Sequence, residues 1–332
     1  MKRFATGVAV ALLLAGLTPA SRVASAATAS PPASSLARVY VEPVAGYGFL
    51  SAALLSARHR IDLSMYELKD PTLEAHLVAR ARAGVRVRVL LNSAYYGRRE
   101  NSAAADVLRR GGVSVTWAPT GQIFHAKYLV IDATRVYIGT GNLVDYYYAT
   151  TRDVWVLDTN LPDVRAVEAT FTHDVAHLAT APVTSGGLIW SPGSLAPLVS
   201  FIHAARHTLV LENEEMRQYD VEDALIAAAA RGVRVTVVMT ASTTYLSALG
   251  NLAHHGVRVE LLPSSGVYIH AKLLCADCGV GAGVLFVGSE NFSTSSLDFN
   301  RELGVVTRTP AVVATVNATL LADAAAGARL AG

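Results

Sequence analysis

Gly84-Val85-Arg86-Val87 recurs as Gly232-Val233-Arg234-Val235, and Ala57-Arg58-His59 recurs as Ala205-Arg206-His207, both at a shift of 148 residues. Gly112-Val113 returns as Gly256-Val257 and Pro119 as Pro263 at a shift of 144, and His125-Ala126-Lys127 returns as His270-Ala271-Lys272 at 145. Solenoid units repeat every 20 to 50 residues or about that, so a period this long marks a duplicated domain. Ile61, Leu63 and Met65 alternate as on a strand. Asp70 is placed to cap a helix with Pro71 at its first position, and Gly84 ends that helix before Val85, Val87 and Val89. In the second copy Asp220 opens the corresponding helix, an alanine-rich run continues to Arg231, and Gly232 precedes Val233, Val235 and Val237. Further helices are expected over about 102–110 and 245–254, each leading to a short strand that ends at Pro119 or Pro263. The pattern predicts an α/β fold with largely parallel strands and helices on both faces: two similar α/β/α sandwich lobes about a pseudo-twofold axis. The join falls over 181–193, where Pro182, Gly186, Gly187, Pro192 and Gly193 interrupt the pattern, giving lobes 27–183 and 184–332.

Composition narrows the class. Of 332 residues 52% are hydrophobic and 16% charged, which excludes a disordered or polybasic chain. Lys2-Arg3, an apolar run over 4–17 and Ala24-Ser25-Ala26 predict a signal peptide cut after Ala26 and a secreted product, extracellular or periplasmic. That run has 14 residues, short of a bilayer span of about 20. Setting Lys2, Arg3 and Arg22 aside lowers the 28 basic residues to 25 against 26 acidic ones, which disfavours general nucleic-acid binding. Cys275 and Cys278 are the only cysteines. In an exported chain this spacing is read as a disulfide before a metal site, since zinc needs two more ligands. Residues three apart on a straight strand lie too far apart to bridge. The pair is bonded if the chain turns near 276–278 and a pair of buried thiols if it does not.

The chemistry gathers around the two H-x-K triplets. The first copy holds His125 and Lys127, then Asp132, Gly139-Thr140-Gly141-Asn142, and Asp153 eleven residues after the asparagine. The second holds His270 and Lys272, then Asp277, Gly288-Ser289-Glu290-Asn291, and Glu302, again eleven residues on. On a strand each histidine and lysine would share a face. Gly139 and Gly288 would let the chain turn back so that a hydroxyl and an amide stand beside the pair. Two imidazoles facing each other supply a nucleophile and a general acid, while lysines and asparagines supply charge and N–H donors for a phosphoryl group. A carboxylate bonded to Nδ1 of a histidine would fix its tautomer. No cluster has the count or spacing of a metal site, and no cofactor is implied. A lone H-x-K on a strand is usually an ordinary surface pair, but two complete copies at a domain-scale period are not. Residues 27–332 contain 22 Arg and three Lys, and two of those three are Lys127 and Lys272, where a compact ammonium is needed.

These residues resemble the phospholipase D superfamily, whose pattern is H-x-K-x4-D, then G-S/T-x-N and a downstream acid, and the resemblance covers both halves of the chain. It implies one active site between the lobes and a metal-independent, two-step displacement at phosphorus through a phosphohistidine. By that resemblance His125 is the nucleophile, and His270 is the acid that protonates the leaving oxygen and then the base that activates water or an alcohol. Lys127, Lys272, Asn142 and Asn291 would hold phosphate oxygens, Asp153 and Glu302 would orient the histidines, and Asp132 and Asp277 would brace the motif. Thr140 and Ser289 would be supporting hydroxyls. Two departures stand out. The first copy has Thr140 and Asp153 against Ser289 and Glu302, and ten residues separate Asp277 from Gly288 against six in the first copy, consistent with a longer hairpin.

The substrate is read from thinner signals. Export, a near-neutral charge and the segments Tyr95-Tyr96 and Tyr146-Tyr147-Tyr148 suit a phospholipid at a membrane or micelle surface. The groups Arg80, Arg82, Arg86, Arg88 and Arg98, Arg99, Arg109, Arg110 suit a nucleic acid, which makes an exported endonuclease the alternative. A non-catalytic phosphate-binding module is a third reading, which missing motif residues would favour. A phospholipid synthase is disfavoured because such enzymes usually bring membrane-spanning segments. The expectation is a monomeric phospholipase D that hydrolyses headgroups and can pass the phosphatidyl group to alcohols.

Overall fold

The computed structural model describes residues 32–332, and the signal sequence expected over 1–26 lies outside them. Two large mixed sheets carry the chain. In spatial order the first runs Leu36–Val41, Val154–Asp158, Arg135–Gly139, Lys127–Ile131, Arg60–Met65, Arg86–Leu91 and Ser114–Trp117. The second runs Leu188–Ser191, Glu302–Thr307, Val284–Gly288, Leu273–Ala276, Thr208–Glu212, Arg234–Thr240 and Arg258–Leu262, with Ala328–Arg329 added at its edge. The strand orders agree element for element, so the sequence repeat is the repeat of a whole sheet.

Pairing within the sheets differs from the largely parallel arrangement expected. Arg60–Met65, Arg86–Leu91 and Ser114–Trp117 pair in parallel, as do their counterparts in the second sheet. The other neighbours in the first sheet are antiparallel, and so are those in the second. The cause is local. Lys127–Ile131 returns through Asp132-Ala133-Thr134 into Arg135–Gly139, and a connection that short joins only antiparallel neighbours. The second lobe makes the same hairpin with a longer return over 277–283. Asp277 opens that return with φ +54°, and the turn brings Cys275 and Cys278 together in a disulfide with Cα atoms 5.8 Å apart.

The layering also differs from two complete sandwiches. Along Lys127–Ile131 the side chains alternate: Leu129 and Ile131 enter an outer core under the helices Gly48–Ser56, Pro71–Arg82 and Gly97–Arg110. Tyr128 and Val130 point the other way, into a core that also holds Leu273, Cys275, Val287 and Val305 of the second sheet. The helices Leu161–Val175 and Pro310–Ala326 contribute Phe171 and Leu320 to this same shared core. A matching outer core lies beyond the second sheet. Burying one large apolar side chain is worth about 1.5–3 kcal/mol, so a core drawn from both lobes ties them into one folding unit.

Most helix boundaries follow the sequence signals, although the helix expected from about 102 begins at Gly97. Asp70 accepts from the backbone N–H of Thr72 and Leu73 and Pro71 begins the helix, while Gly84 and Gly232 take φ +86° and +89° after their helices. In the second lobe the helix is Tyr219–Ala230 with Gln218 at the N-cap position, so Asp220 lies inside its first turn and is not the cap.

Candidate active site

The motif acids explain why Ala-Arg-His recurs. Asp132 accepts from the backbone N–H of Arg58, His59 and Arg60 at 2.9, 2.7 and 2.9 Å. Asp277 does the same for Arg206, His207 and Thr208, at 2.6 Å for His207. Burial would raise the Asp132 carboxyl, but those three backbone donors hold it below the ordinary value. Both acids are therefore braces at the start of a central strand, remote from the histidines along the hairpin.

Each histidine lies just ahead of its strand, not on it as expected, because it is stitched to the opposite lobe. The backbone N–H groups of His125 and Ala126 both donate to the carbonyl of Arg301, at 2.8 Å, and that of His270 donates to the carbonyl of Arg152, at 3.2 Å. The next residue in each case is the downstream acid. Glu302 accepts from Nδ1 of His125 across 2.7 Å, and Asp153 accepts from Nδ1 of His270 at 2.8 Å. The acid of each lobe thus serves the histidine of the other. Thr140 Oγ1 donates to Asp153 at 2.6 Å and accepts from Val154 N–H at 2.9 Å, while Ser289 Oγ accepts from Leu303 N–H at 3.1 Å.

The glycines before these hydroxyls act by clearance, not by the turn expected of them. A Cβ on Gly139 would sit 2.3 Å from the Trp155 ring, and one on Gly288 would sit 2.6 Å from Gly304 Cα. A Cβ on Gly141 would meet the Asp153 carboxyl at 2.5 Å, so the acid needs that gap to reach across.

Lys127 and Lys272 are fully buried, and each Nζ donates to the carbonyl of its own histidine. Burial pushes Lys127 down to about 7, against the pull of Glu302 and with Lys272 adding to the drop. Burial also lowers His125, opposed by Glu302, which leaves its imidazole neutral near pH 7. Glu302 would be raised by burial, yet His125 and Lys127 outweigh this and keep it below the ordinary carboxylate value. Asn142 and Asn291 line the same cleft, and the buried Oδ1 of each has no protein partner. A neutral imidazole with a fixed tautomer, a second imidazole and two buried lysines can perform displacement at phosphorus. Among the described residues no group of three His, Cys, Asp or Glu side chains is placed to hold a metal ion.

Both histidines open onto one cleft of about 710 Å³. Its walls include Tyr47, Tyr66, Tyr147, Tyr148 and Tyr268 with Glu67, Glu214 and Glu215, and no arginine is among the described lining residues. Of the tyrosine segment singled out in the sequence, Tyr147 and Tyr148 reach the cleft, and Tyr148 stacks on Tyr47 with centroids 3.5 Å apart. Tyr95 and Tyr96 are exposed. The arginine groups lie elsewhere: Arg88 makes a two-point bond to Asp62 at 2.7 and 2.8 Å, Arg80 caps Ala57 O, and Arg98 and Arg109 lie over Trp117.

Sequence reasoning missed three residues here. Glu214 Oε2 lies 3.1 Å from Lys272 Nζ, 3.4 Å from Asn291 Nδ2 and 3.5 Å from His270 Nε2, and its Oε1 accepts from Tyr268 at 2.9 Å. Burial would raise this carboxyl, but Lys272 and His270 hold it far below the usual range. Arg152 pairs through two nitrogens with Asp323, at 2.6 and 2.9 Å, and Arg301 reaches Asp174 at 3.1 Å, each across the lobes. The arginines had a visible signal, since Arg152-Asp153 and Arg301-Glu302 are themselves a repeated dipeptide. Glu214 had none, because its counterpart in the other copy is a tyrosine.

The chain is similar to cardiolipin synthase A of Yersinia pseudotuberculosis serotype O:1b (strain IP 31758), 24% identical over 311 residues that cover 75% of this chain. It spans 61% of the length of that relative, and the same figures hold for the protein of the same name from Yersinia pestis. Among solved structures, polyphosphate kinase from Porphyromonas gingivalis superposes with a TM-score of 0.71 at 17% identity, covering 89% of this chain and 48% of that one. Phosphatidylserine synthase of Haemophilus influenzae Rd KW20 gives 0.69 at 10% identity, covering 92% and 90%. Both likenesses are of fold. The family described as "Cardiolipin synthase, PLD-like domain" matches residues 50–175 and again 198–323, once per sheet, and the chain therefore belongs to the phospholipase D-like superfamily.

Proposed function

We propose that this chain is an exported phospholipase D, which hydrolyses phospholipid headgroups through a phosphohistidine and can pass the phosphatidyl group to an alcohol. In this reading residues 27–183 and 184–332 are two phospholipase D-like lobes related by a pseudo-twofold axis, with one site between them. His125 attacks phosphorus, His270 protonates the leaving oxygen and then activates water, and Lys127, Lys272, Asn142 and Asn291 hold the phosphate. Asp153 and Glu302 keep the histidines in the productive tautomer.

The observation that carries the lipid reading is the cleft wall, built from tyrosines and carboxylates with no arginine among its described residues. A polyanionic strand would bring many charges past Glu67, Glu214 and Glu215 on the cleft wall, whereas a phospholipid with an uncharged or cationic headgroup brings a single negative phosphodiester and is repelled far less. Tyrosine suits a water–lipid boundary. Cardiolipin and phosphatidylserine in the names of two relatives point the same way. Export is supported by the charge and apolar pattern over 1–26 and by the Cys275–Cys278 disulfide, which persists in oxidising compartments.

The test compares purified protein with His125→Ala and His270→Ala on phosphatidylcholine and phosphatidylethanolamine vesicles and on single- and double-stranded DNA, with EDTA throughout. Headgroup release lost in both variants is the expected result. DNA cleavage with intact lipid would replace this function with that of a nuclease.

A further inference from the structure

The two halves of the site are not equivalent at one position. Leu68 pairs with Leu143, the residue after Asn142, and Met216 pairs with Phe292, the residue after Asn291. Counting back two residues from each strand start aligns Tyr66 with Glu214. In the first half the Tyr66 ring stands edge-on to His125, centroids 4.7 Å apart, and 5.1 Å from Lys127 Nζ. In the second half a carboxylate occupies that place, 3.5 Å from His270 Nε2 and 3.1 Å from Lys272 Nζ.

We propose that Glu214 is a positioning residue that commits His270 to the general-acid role, while Tyr66 at the equivalent position leaves His125 free to act as nucleophile. The proposal rests on the phosphodiesterase reading above and deepens it. An opposite charge within about 4–6 Å favours the charged form of a titratable group. His270 has a carboxylate at each ring nitrogen, Asp153 2.8 Å from Nδ1 and Glu214 3.5 Å from Nε2. His125 has one, Glu302 at Nδ1, and its Nε2 has no carboxylate partner among the described residues. Burial disfavours a charge there, and Lys127 and Lys272 add to this against the pull of Glu302. Tyr268 holds the second oxygen of Glu214 at 2.9 Å, which fixes the carboxylate on the His270 side.

The chemistry then has a direction. Nε2 of neutral His125 attacks phosphorus, the phosphorus–oxygen bond to the headgroup breaks, and the proton on Nε2 of His270 passes to the departing oxygen. Water next attacks phosphorus, gives a proton to the now neutral His270, and the phosphorus–nitrogen bond breaks. Each cycle ends with His270 charged again beside Glu214. The headgroup therefore leaves on the Glu214 side and the phosphatidyl group stays on the Tyr66 side.

The experiment is first-turnover kinetics of Glu214→Gln and Glu214→Asp on two esters with the same phosphatidyl group. One, phosphatidylcholine, has a leaving group that needs a proton. The other, phosphatidyl-p-nitrophenol, has one that does not. General acid catalysis contributes about 10²–10⁴-fold, and weakening it should slow Glu214→Gln by about 10–100-fold on phosphatidylcholine and by less than about threefold on the nitrophenyl ester. Glu214→Asp should recover part of the phosphatidylcholine rate, and circular dichroism should show both variants folded at the assay temperature. Equal losses on both esters would show a merely structural role and overturn the proposal. A gain on both would show that Glu214 only occupies the place of a phosphate oxygen, and would overturn it equally. Failure of the underlying reading looks different, because the parent protein itself would then cleave neither ester.

Discussion

Replacing Arg152 by methionine tests how the site is assembled. The guanidinium donates to both oxygens of Asp323, at 2.6 and 2.9 Å, and to the carbonyl of Glu42 at 2.5 Å, with both side chains of the ion pair only about a tenth exposed. Methionine keeps the volume and removes the charge. It leaves Asp323 buried beside Glu212, whose two oxygens have no partner and whose carboxyl is raised by burial and by Asp323. Breaking one side of a buried ion pair costs about 3–5 kcal/mol. At roughly 2 °C per kcal/mol for a chain of this size, the melting temperature should fall by about 6–10 °C at pH 7. Calorimetry on the single variant, on Asp323→Leu and on the double variant gives the coupling. The double variant should regain most of the loss, because no uncompensated charge remains. A single-variant drop below about 2 °C, or a double variant no more stable than either single one, would refute the reasoning.

Three further outcomes follow from the same geometry. Glu302→Gln removes the anchor of the His125 tautomer and should lower headgroup release by about 10²–10⁴-fold with little change in folding, and Asp153→Asn should do the same through His270; a loss under tenfold in steady-state assays would count against the crossed pairs. Because burial lowers His125, the activity should persist below the ordinary histidine range of about 6.5 and fall only as protonation of His125 sets in at lower pH, which a kcat/KM profile from pH 4 to 8 checks. Burial, moderated by the Gly46 N–H and reinforced by Asp153, raises Glu42 to about 7, so the folded chain holds a proton there that the unfolded chain releases. Stability from this group is therefore present at low pH and lost as pH rises through 7, and Glu42→Gln should raise the melting temperature at pH 8 but not at pH 4.

The sequence made the lobes legible because the repeat includes buried strand positions: Val85, Val87 and Val233, Val235 lie in the two outer cores. The motif histidines, lysines, asparagines and acids were legible by spacing, and the structure brings all eight to one place. The crossing of the acids was not legible. Spacing along the chain says that Asp153 follows Asn142 by eleven residues, but only the stitch from His270 N–H to Arg152 O says whose histidine it meets. The mixed pairing was hidden for a related reason, since Arg60–Met65 is parallel to one neighbour and antiparallel to the other and carries a single residue pattern for both. Glu214 escaped because a search for repeated residues passes over a position where the copies differ.

The stitch between the lobes has a meaning for descent. Two separate copies of one lobe could exchange their acids in the same way, each completing the histidine of its mate, but symmetry would then oblige both half-sites to carry the same residue beside the histidine. Joined in a single chain, the halves are encoded separately. One can keep a tyrosine at position 66 while the other acquires a glutamate at position 214, a division of labour that no pair of identical subunits can inherit.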